Sequence, residues 1–386
     1  MADIPIRLTC ADYAKLAPLM IGDVKPVGVD LTLIHGTEGS WIARAQMLQR
    51  ATGDGGVDGG ETSMAGHLRR IVNGDRSFVA LPVFPLRNFC ARDLYVRKDG
   101  PIRQAPDLIG KRIGMYDWVA SGSIWYRHFL NWIGVPPDKL EWWIGDVEGA
   151  WRARHPGDLP AGVHTVPEGR YLVEMLIAGD LDAIYTPPRP SLYHPKDGPL
   201  VRLFPDARSI EHDYYRATKA YPPQHLVVLR RAVWEANKWL AKALTGAFVE
   251  NNRVFASCIR NFPYASPWLD SELEEAEAVM GAGYQPDGYE AGRREVDMFC
   301  RQSHDAGITP RIVTAEEYFA EFLEGGPPGR YIRMLSRAQR GAFLSRGGMH
   351  GTVSEKPAVQ LLGNSAANWE RCPRAGVGRH RGRCGL

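Results

Sequence analysis

Short apolar segments rich in branched residues alternate with stretches of helical period along the first two hundred residues. That alternation confines the chain to sheets covered by helices, an α/β fold. Ile4–Cys10, Gly28–Ile34, Ser77–Pro85 and Arg92–Lys98 predict strands, with a helix over Ile42–Ala51. A second unit begins near Asp99. It runs as a strand at Lys111–Tyr116, a helix over Ser123–Val135 stopped by Gly134 and Pro136-Pro137, then strand "LEWWIGD", helix "GRYLVEMLIAGDL" and strand Asp182–Pro188. From Pro199 the chain resumes with a strand at Gln224–Arg231, a long helix over Ala232–Asn252 and helical stretches at Ser271–Met280, Tyr289–Ala306 and Thr314–Gly326. One unit, a second inserted into it and a return describe a two-lobed, hinged fold with a ligand cleft between the lobes. The expected lobes are residues 1–98 plus 200–345 and residues 99–199, with 346–386, poor in periodicity and rich in Gly and Arg, as a disordered basic tail.

Charge excludes one class of partner. The net charge of +3 conceals a basic tail, because residues 346–386 hold seven Lys/Arg against Glu355 and Glu370. Without them the body is about −2. Such a surface does not attract nucleic acid. No apolar run is long enough to span a bilayer, and "MADIPIRLTC" lacks the basic and apolar regions of an export signal. Cys10, Cys90, Cys258, Cys300, Cys372 and Cys384 form no CxxC pair, which fits reduced thiols and a cytoplasmic protein without a membrane partner. Oligomeric state stays open, a homo-oligomer included.

Three features could bind or transform a ligand. The glycine-rich run "DGGVDGGETS" reads as a loop that ends at a helix, since Met64, Leu68, Ile71 and Val72 share one helical face. A helix starting at Thr62–Ser63 offers unpaired amides, hydroxyls and the positive end of its dipole to an anion, although N-capping alone also accounts for these residues. Ser121-Gly122-Ser123 repeats the arrangement in the second unit, and two such ends would suit a ligand with two carboxylates. Arg87, Arg92 and Arg189 stand beside strand ends. Arg87 and Arg189 are the better carboxylate ligands because prolines fix their loops, with a solvated surface role as the alternative. None of the 11 histidines falls in HExxH or HxxxH spacing, so no metal site is expected. His225 enters an apolar strand either as a satisfied buried histidine or as an acid/base group at the cleft. No P-loop, G-x-S-x-G or dinucleotide fingerprint occurs, and no cofactor is expected.

Four blocks carry a resemblance: "DYAKLAPLMIGDVKPVGVDLTLI", "FVALPVFPLRNF" with "LYVR", "YPPQHLVVLRRAVWEANKWLAKALTGAF" and "GYEAGRREVDMFCRQSHDAGIT". In order and spacing, over most of residues 4–325, they resemble the 4,5-dihydroxyphthalate decarboxylase family. The resemblance implies a type II periplasmic-binding-protein-like fold and loss of carbon dioxide from a hydroxylated aromatic dicarboxylate, with no cofactor. In that substrate each ring hydroxyl lies para to a carboxylate-bearing carbon. Protonation of that carbon is therefore stabilised by oxygen, and loss of carbon dioxide restores aromaticity. The protein must anchor a dianion, supply a proton and assist the phenol.

By the same resemblance His225, in a Pro-x-x-His block, is the proton donor or relay. Asp12 and Tyr13 match an acidic–aromatic pair that would contact the hydroxyls, and Glu61 would orient a hydroxyl rather than grip a carboxylate. Thr62, Ser63, Arg87, Ser121, Ser123 and Arg189 are the expected substrate ligands. The chain departs from the family pattern at Cys90-Ala91, at Asp287, at Gly292 and beyond about Gly347. A solute-binding protein of an ABC importer for an organic acid is the alternative, since it would use the same cleft without chemistry.

Overall fold

The computed structural model describes residues 2–53, 56–149, 159–261 and 266–325. The expected basic tail lies outside them. Two mixed sheets form the framework. The first has the order β2 (Val29–Ile34), β1 (Ile4–Thr9), β3 (Gly59–Ser63), β11 (His225–Arg230) and β4 (Phe78–Leu81). β1 runs parallel to β2 and β3, and the returning β11 is inserted antiparallel between β3 and β4. The second sheet has the order β10 (Leu200–Arg202), β5 (Leu94–Arg97), β9 (Ala183–Tyr185), β6 (Arg112–Met115), β7 (Glu141–Ile144) and β8 (Val163–Thr165). Here β9, β6, β7 and β8 run parallel, and β5 is antiparallel to both neighbours. The expected boundaries near Lys98 and Pro199 fall beside β5 and β10. These two strands pair with each other in the second sheet, Val96 opposite Val201.

The helices are α1 (Ala17–Met20), α2 (Trp41–Thr52), α3 (Met64–Val72), α4 (Ser121–Trp132), α5 (Leu172–Ala178), α6 (Ala207–Thr218), α7 (Arg231–Ala236), α8 (Leu240–Asn261), α9 (Leu269–Met280), α10 (Tyr289–Asp305), α11 (Ala315–Tyr318) and α12 (Ala320–Glu324). Ser40 caps α2 by accepting from Ala43 N, and Ser63 caps α3 by accepting from Gly66 N. The long helix expected from Ala232 breaks into α7 and α8 around Asn237. Among the described residues no helix is long and apolar enough to cross a membrane.

The glycine run departs from its expected role. Gly59 and Gly60 lie inside β3, at φ 155° and 152°, with neighbouring strands on both sides. A Cβ on Gly60 would stand 2.2 Å from Thr9 Oγ1, and one on Gly59 would stand 2.0 Å from the Val228 carbonyl oxygen. These glycines let three backbones close up, and the approach to α3 is a central strand rather than a loop.

One core cluster draws on both sheets, including Leu8, Val79 and Leu226 from the first and Ile113, Met115 and Tyr185 from the second. Trp125 of α4 is fully buried in it and donates Nε1–H to the Pro223 carbonyl at 2.6 Å, just before β11. Burial of that ring contributes about 3 kcal/mol and fixes α4, which follows β6 of the second sheet, against the chain entering β11 of the first.

Candidate functional site

Strand register assembles the centre of the site. In the antiparallel β3–β11 pair, His225 lies opposite Ser63 and Val227 opposite Glu61, so Glu61, Ser63 and His225 share one face. Glu61 and His225 are diagonal neighbours, close enough for their side chains to meet. His225 Nδ1 lies 2.5 Å from Glu61 Oε1. β1 runs parallel to β3, so the chain leaving β1 passes beside Glu61. Ala11 N donates to Oε2 at 2.9 Å and Tyr13 Oη donates to Oε1 at 2.6 Å. α2 adds Arg44, whose Nη2 donates to Tyr13 Oη at 2.7 Å and stands 3.7 Å from Glu61 Oε1. The Glu61 side chain is 1% exposed, so it faces these partners and not solvent.

The charges follow from that setting. Burial alone would raise the Glu61 carboxyl. The hydrogen bond and charge of His225, the Arg44 guanidinium and the Tyr13 hydroxyl outweigh it and hold the group at about 2. Burial pushes His225 below its ordinary value and the charge of Arg44 acts the same way, against a smaller upward pull from Glu61. At neutral pH the pair is a carboxylate and a neutral imidazole, with the Nδ1 proton shared toward Glu61. Nε2 is the nitrogen left for a ligand in the cleft whose wall His225 forms. Burial also raises the Cys10 thiol, 3.6 Å from Glu61 Oε2, so it stays protonated.

The cleft has room for about 1200 Å³. α2 and α3 form one wall, and the starts of α4 and the loops after β7 and β9 form the other. The two helix N-termini do meet there. Ser63 Oγ and Ser121 Oγ are 2.9 Å apart, and Ala65 N donates to Ser121 Oγ at 3.1 Å. Thr62 lines the cleft beside them, whereas Ser123 is fully buried in α4. Gly122 leaves the α4 entrance open: an added Cβ there would stand 3.2 Å from Tyr116 Oη and 3.3 Å from Gln224 Oε1.

Two of the expected substrate arginines are placed otherwise, and so is one carboxylate. Arg87 touches the cleft wall but its side chain is 1% exposed. Its guanidinium is spent on Glu295 at 2.5 Å and on the carbonyls of Tyr221 and Pro286, a buried pair that ties three loops together. Arg189 is exposed, with its guanidinium 5.8 Å from the Tyr193 ring centroid and away from the cleft lining. Asp12 accepts from the backbone N–H groups of Gly36, Thr37 and Glu38 and from the Thr37 hydroxyl. Burial alone would raise its carboxyl, but those bonds together outweigh it and hold the group at about 2, and they make it the clamp of the loop leading to α2. Tyr13 contacts Glu61 and Arg44, which makes it a support of the pair. Arg44 and Arg69 went unread in the sequence because an arginine on an amphipathic helix has the pattern of a solvent face. Arg70 pairs with Asp75. Arg69, also on the cleft, has no carboxylate partner among the described residues. Among those residues no group of three or more His, Cys, Asp and Glu could hold a metal ion.

No family model matches the chain. Two curated relatives do. A 4,5-dihydroxyphthalate decarboxylase of Comamonas testosteroni is 28% identical over 327 residues, covering 83% of this chain and 97% of the relative. Another of the same name, from Pseudomonas putida, is 31% identical over 225 residues, 56% of this chain and 83% of the relative. The chain belongs to the 4,5-dihydroxyphthalate decarboxylase family. Among solved structures, the alkanesulfonate-binding protein SsuA of Xanthomonas axonopodis pv. citri aligns with a TM-score of 0.42 at 11% identity, over 82% of this chain and 98% of its own. Two departures from the family pattern have structural partners here. Asp287 accepts from Phe84 N at 2.7 Å and from Asn252 Nδ2 at 2.8 Å. Gly292 admits the Phe84 ring, which a Cβ would meet at 2.4 Å. Both departures lie against Phe84, where the chain after β4 meets the start of α10, and outside the Glu61–His225 pair.

Proposed function

We propose that this chain decarboxylates 4,5-dihydroxyphthalate to protocatechuate and carbon dioxide, with His225 as the acid/base group and Glu61 behind it. The observation that carries the proposal is the buried Glu61–His225 pair opening its Nε2 onto a cleft that favours anions. A protein that only bound this dianion would be served by helix ends and arginines. A carboxylate buried behind a histidine would work against such binding, whereas it suits proton transfer.

In the proposed complex one carboxylate sits at the entrances of α3 and α4, near Thr62, Ser63 and Ser121, and Arg69 faces the other. Nε2 takes the proton of the hydroxyl para to the departing carboxylate. The oxygen's electrons raise the basicity of that ring carbon, which takes a proton from solvent. The bond to the carboxylate breaks, its electron pair restores the aromatic ring, and the phenolate recovers its proton from His225. One proton is consumed and one carbon dioxide leaves. The para oxygen acts as the electron sink, so the chemistry asks for no further electron acceptor.

The test is incubation of the purified protein with 4,5-dihydroxyphthalate, following carbon dioxide release and ultraviolet absorbance, with a His225→Ala control. Turnover that falls at least about 100-fold in the variant is expected. Tight binding without turnover would favour the importer reading, and unchanged turnover in His225→Ala would remove that residue from the mechanism.

A further inference from the structure

We propose that Arg44 is a positioning residue that keeps His225 a neutral base, beside the Glu61 carboxylate that holds the ring proton on Nδ1; the role rests on the decarboxylase reading above. Its Nη2 lies 3.4 Å from His225 Nδ1, 2.7 Å from Tyr13 Oη and 3.7 Å from Glu61 Oε1. The guanidinium is held between two rings, 5.2 Å from the Trp41 centroid and 5.6 Å from that of Tyr13, and the side chain is largely buried. It is thus a positive charge fixed in place.

A guanidinium has donors only. It fills the remaining acceptor site on the Tyr13 oxygen, whose own proton goes to Glu61. The nearer partner of Nδ1 is Glu61, at 2.5 Å, so the ring proton belongs there. Were that proton on Nε2, a lone pair on Nδ1 would face a carboxylate. Were both nitrogens protonated, a second positive charge would lie 3.4 Å from Arg44. Glu61 therefore selects the tautomer, and Arg44 penalises the imidazolium.

The groups that could compete are few. Glu61 comes from β3, Arg44 from α2 and Tyr13 from the chain after β1. Cys10 and Lys15 feel Glu61, and Tyr116 feels Arg44 from the opposite wall. The lowered basicity of His225, caused first by burial and then offset by Glu61, also includes a contribution from Arg44.

The experiment combines 15N NMR of histidine-labelled, ligand-free protein with pH profiles of kcat/KM for wild type, Arg44→Lys and Arg44→Gln. His225 is assigned from its loss in His225→Gln. The wild type is expected to show Nδ1–H. In Arg44→Gln both the His225 titration and the acid limb of the profile should move up by about one unit. In Arg44→Lys, which retains the charge, they should stay near the wild-type position. An Nε2–H tautomer in the wild type overturns the proposal. So does an unmoved limb in Arg44→Gln with a KM raised about tenfold, which would make Arg44 a substrate ligand. If 4,5-dihydroxyphthalate is not turned over at all, the decarboxylase reading fails, and the NMR titration alone still decides the role of Arg44.

Discussion

At the scale of single residues, Glu61 has changed its meaning most. From the sequence it belonged in the cleft, orienting a hydroxyl beside a bound dianion, where its charge would repel. In the fold it lies behind His225, on the same sheet face, with its carboxylate buried among Ala11, Tyr13, His225 and Arg44. Its hydrogen bond and charge both raise the basicity of His225, whereas Arg44 lowers it. The two substitutions should therefore move the acid limb of kcat/KM in opposite directions. Glu61→Gln keeps the size and an acceptor but removes the charge, so the limb is expected to shift to lower pH while kcat falls about 100-fold. A limb that stays in place with an unchanged kcat would show that the charge does not act on the base. The sequence singled out His225, Ser63 and Ser121 through local patterns, a histidine entering an apolar strand and hydroxyls before a helical stripe. Arg44 was not legible, because its function is set by Trp41, Tyr13 and Glu61, which only the tertiary fold brings together.

Among elements, most strands were readable from their apolar residues, and β3 was not. β1, β2, β4 and β11 carry branched apolar runs, whereas β3 reads Gly-Gly-Glu-Thr-Ser and has the composition of a loop. Its strand character comes from its two neighbours, which the missing Cβ atoms allow to approach. α6 left no trace for a similar reason: of its residues only Ala207 and Tyr214 are buried, too few to mark an apolar stripe. Arg87 shows the converse error, in which a loop between prolines was read as aiming a side chain at the cleft. The loop does fix its direction, but toward Glu295 and the carbonyls of Tyr221 and Pro286. Arg87→Met would leave Glu295 buried without its cation, so a loss of about 3–5 kcal/mol is expected in urea unfolding. Affinity of the folded variant for phthalate should change less than about twofold. Unchanged stability with affinity lost tenfold or more would instead place Arg87 on the ligand.

Across the whole molecule, the cleft is walled by helices that follow strands of both sheets, and a pair of serine hydroxyls joins them. Ser63 ends β3 of the first sheet and Ser121 opens α4, which follows β6 of the second, and their hydroxyls bond to each other at 2.9 Å. That bond places two positive helix ends side by side, an arrangement that favours an anion more than either end does alone. A carboxylate arriving there would accept from both hydroxyls, so the serines should act as one unit. Ser63→Ala and Ser121→Ala are each expected to weaken phthalate binding by about five- to tenfold, near 1 kcal/mol for a lost hydrogen bond. In the double variant the loss should be clearly smaller than the product of the two, because either substitution already breaks the shared contact. Calorimetric titration with phthalate measures all four proteins without requiring turnover. Losses that multiply would mean that the two helix ends bind independently and that the anion is not held between the sheets. Unchanged affinity in all three variants would move the carboxylate site away from these termini and leave Arg69 and the rest of α3 to hold it.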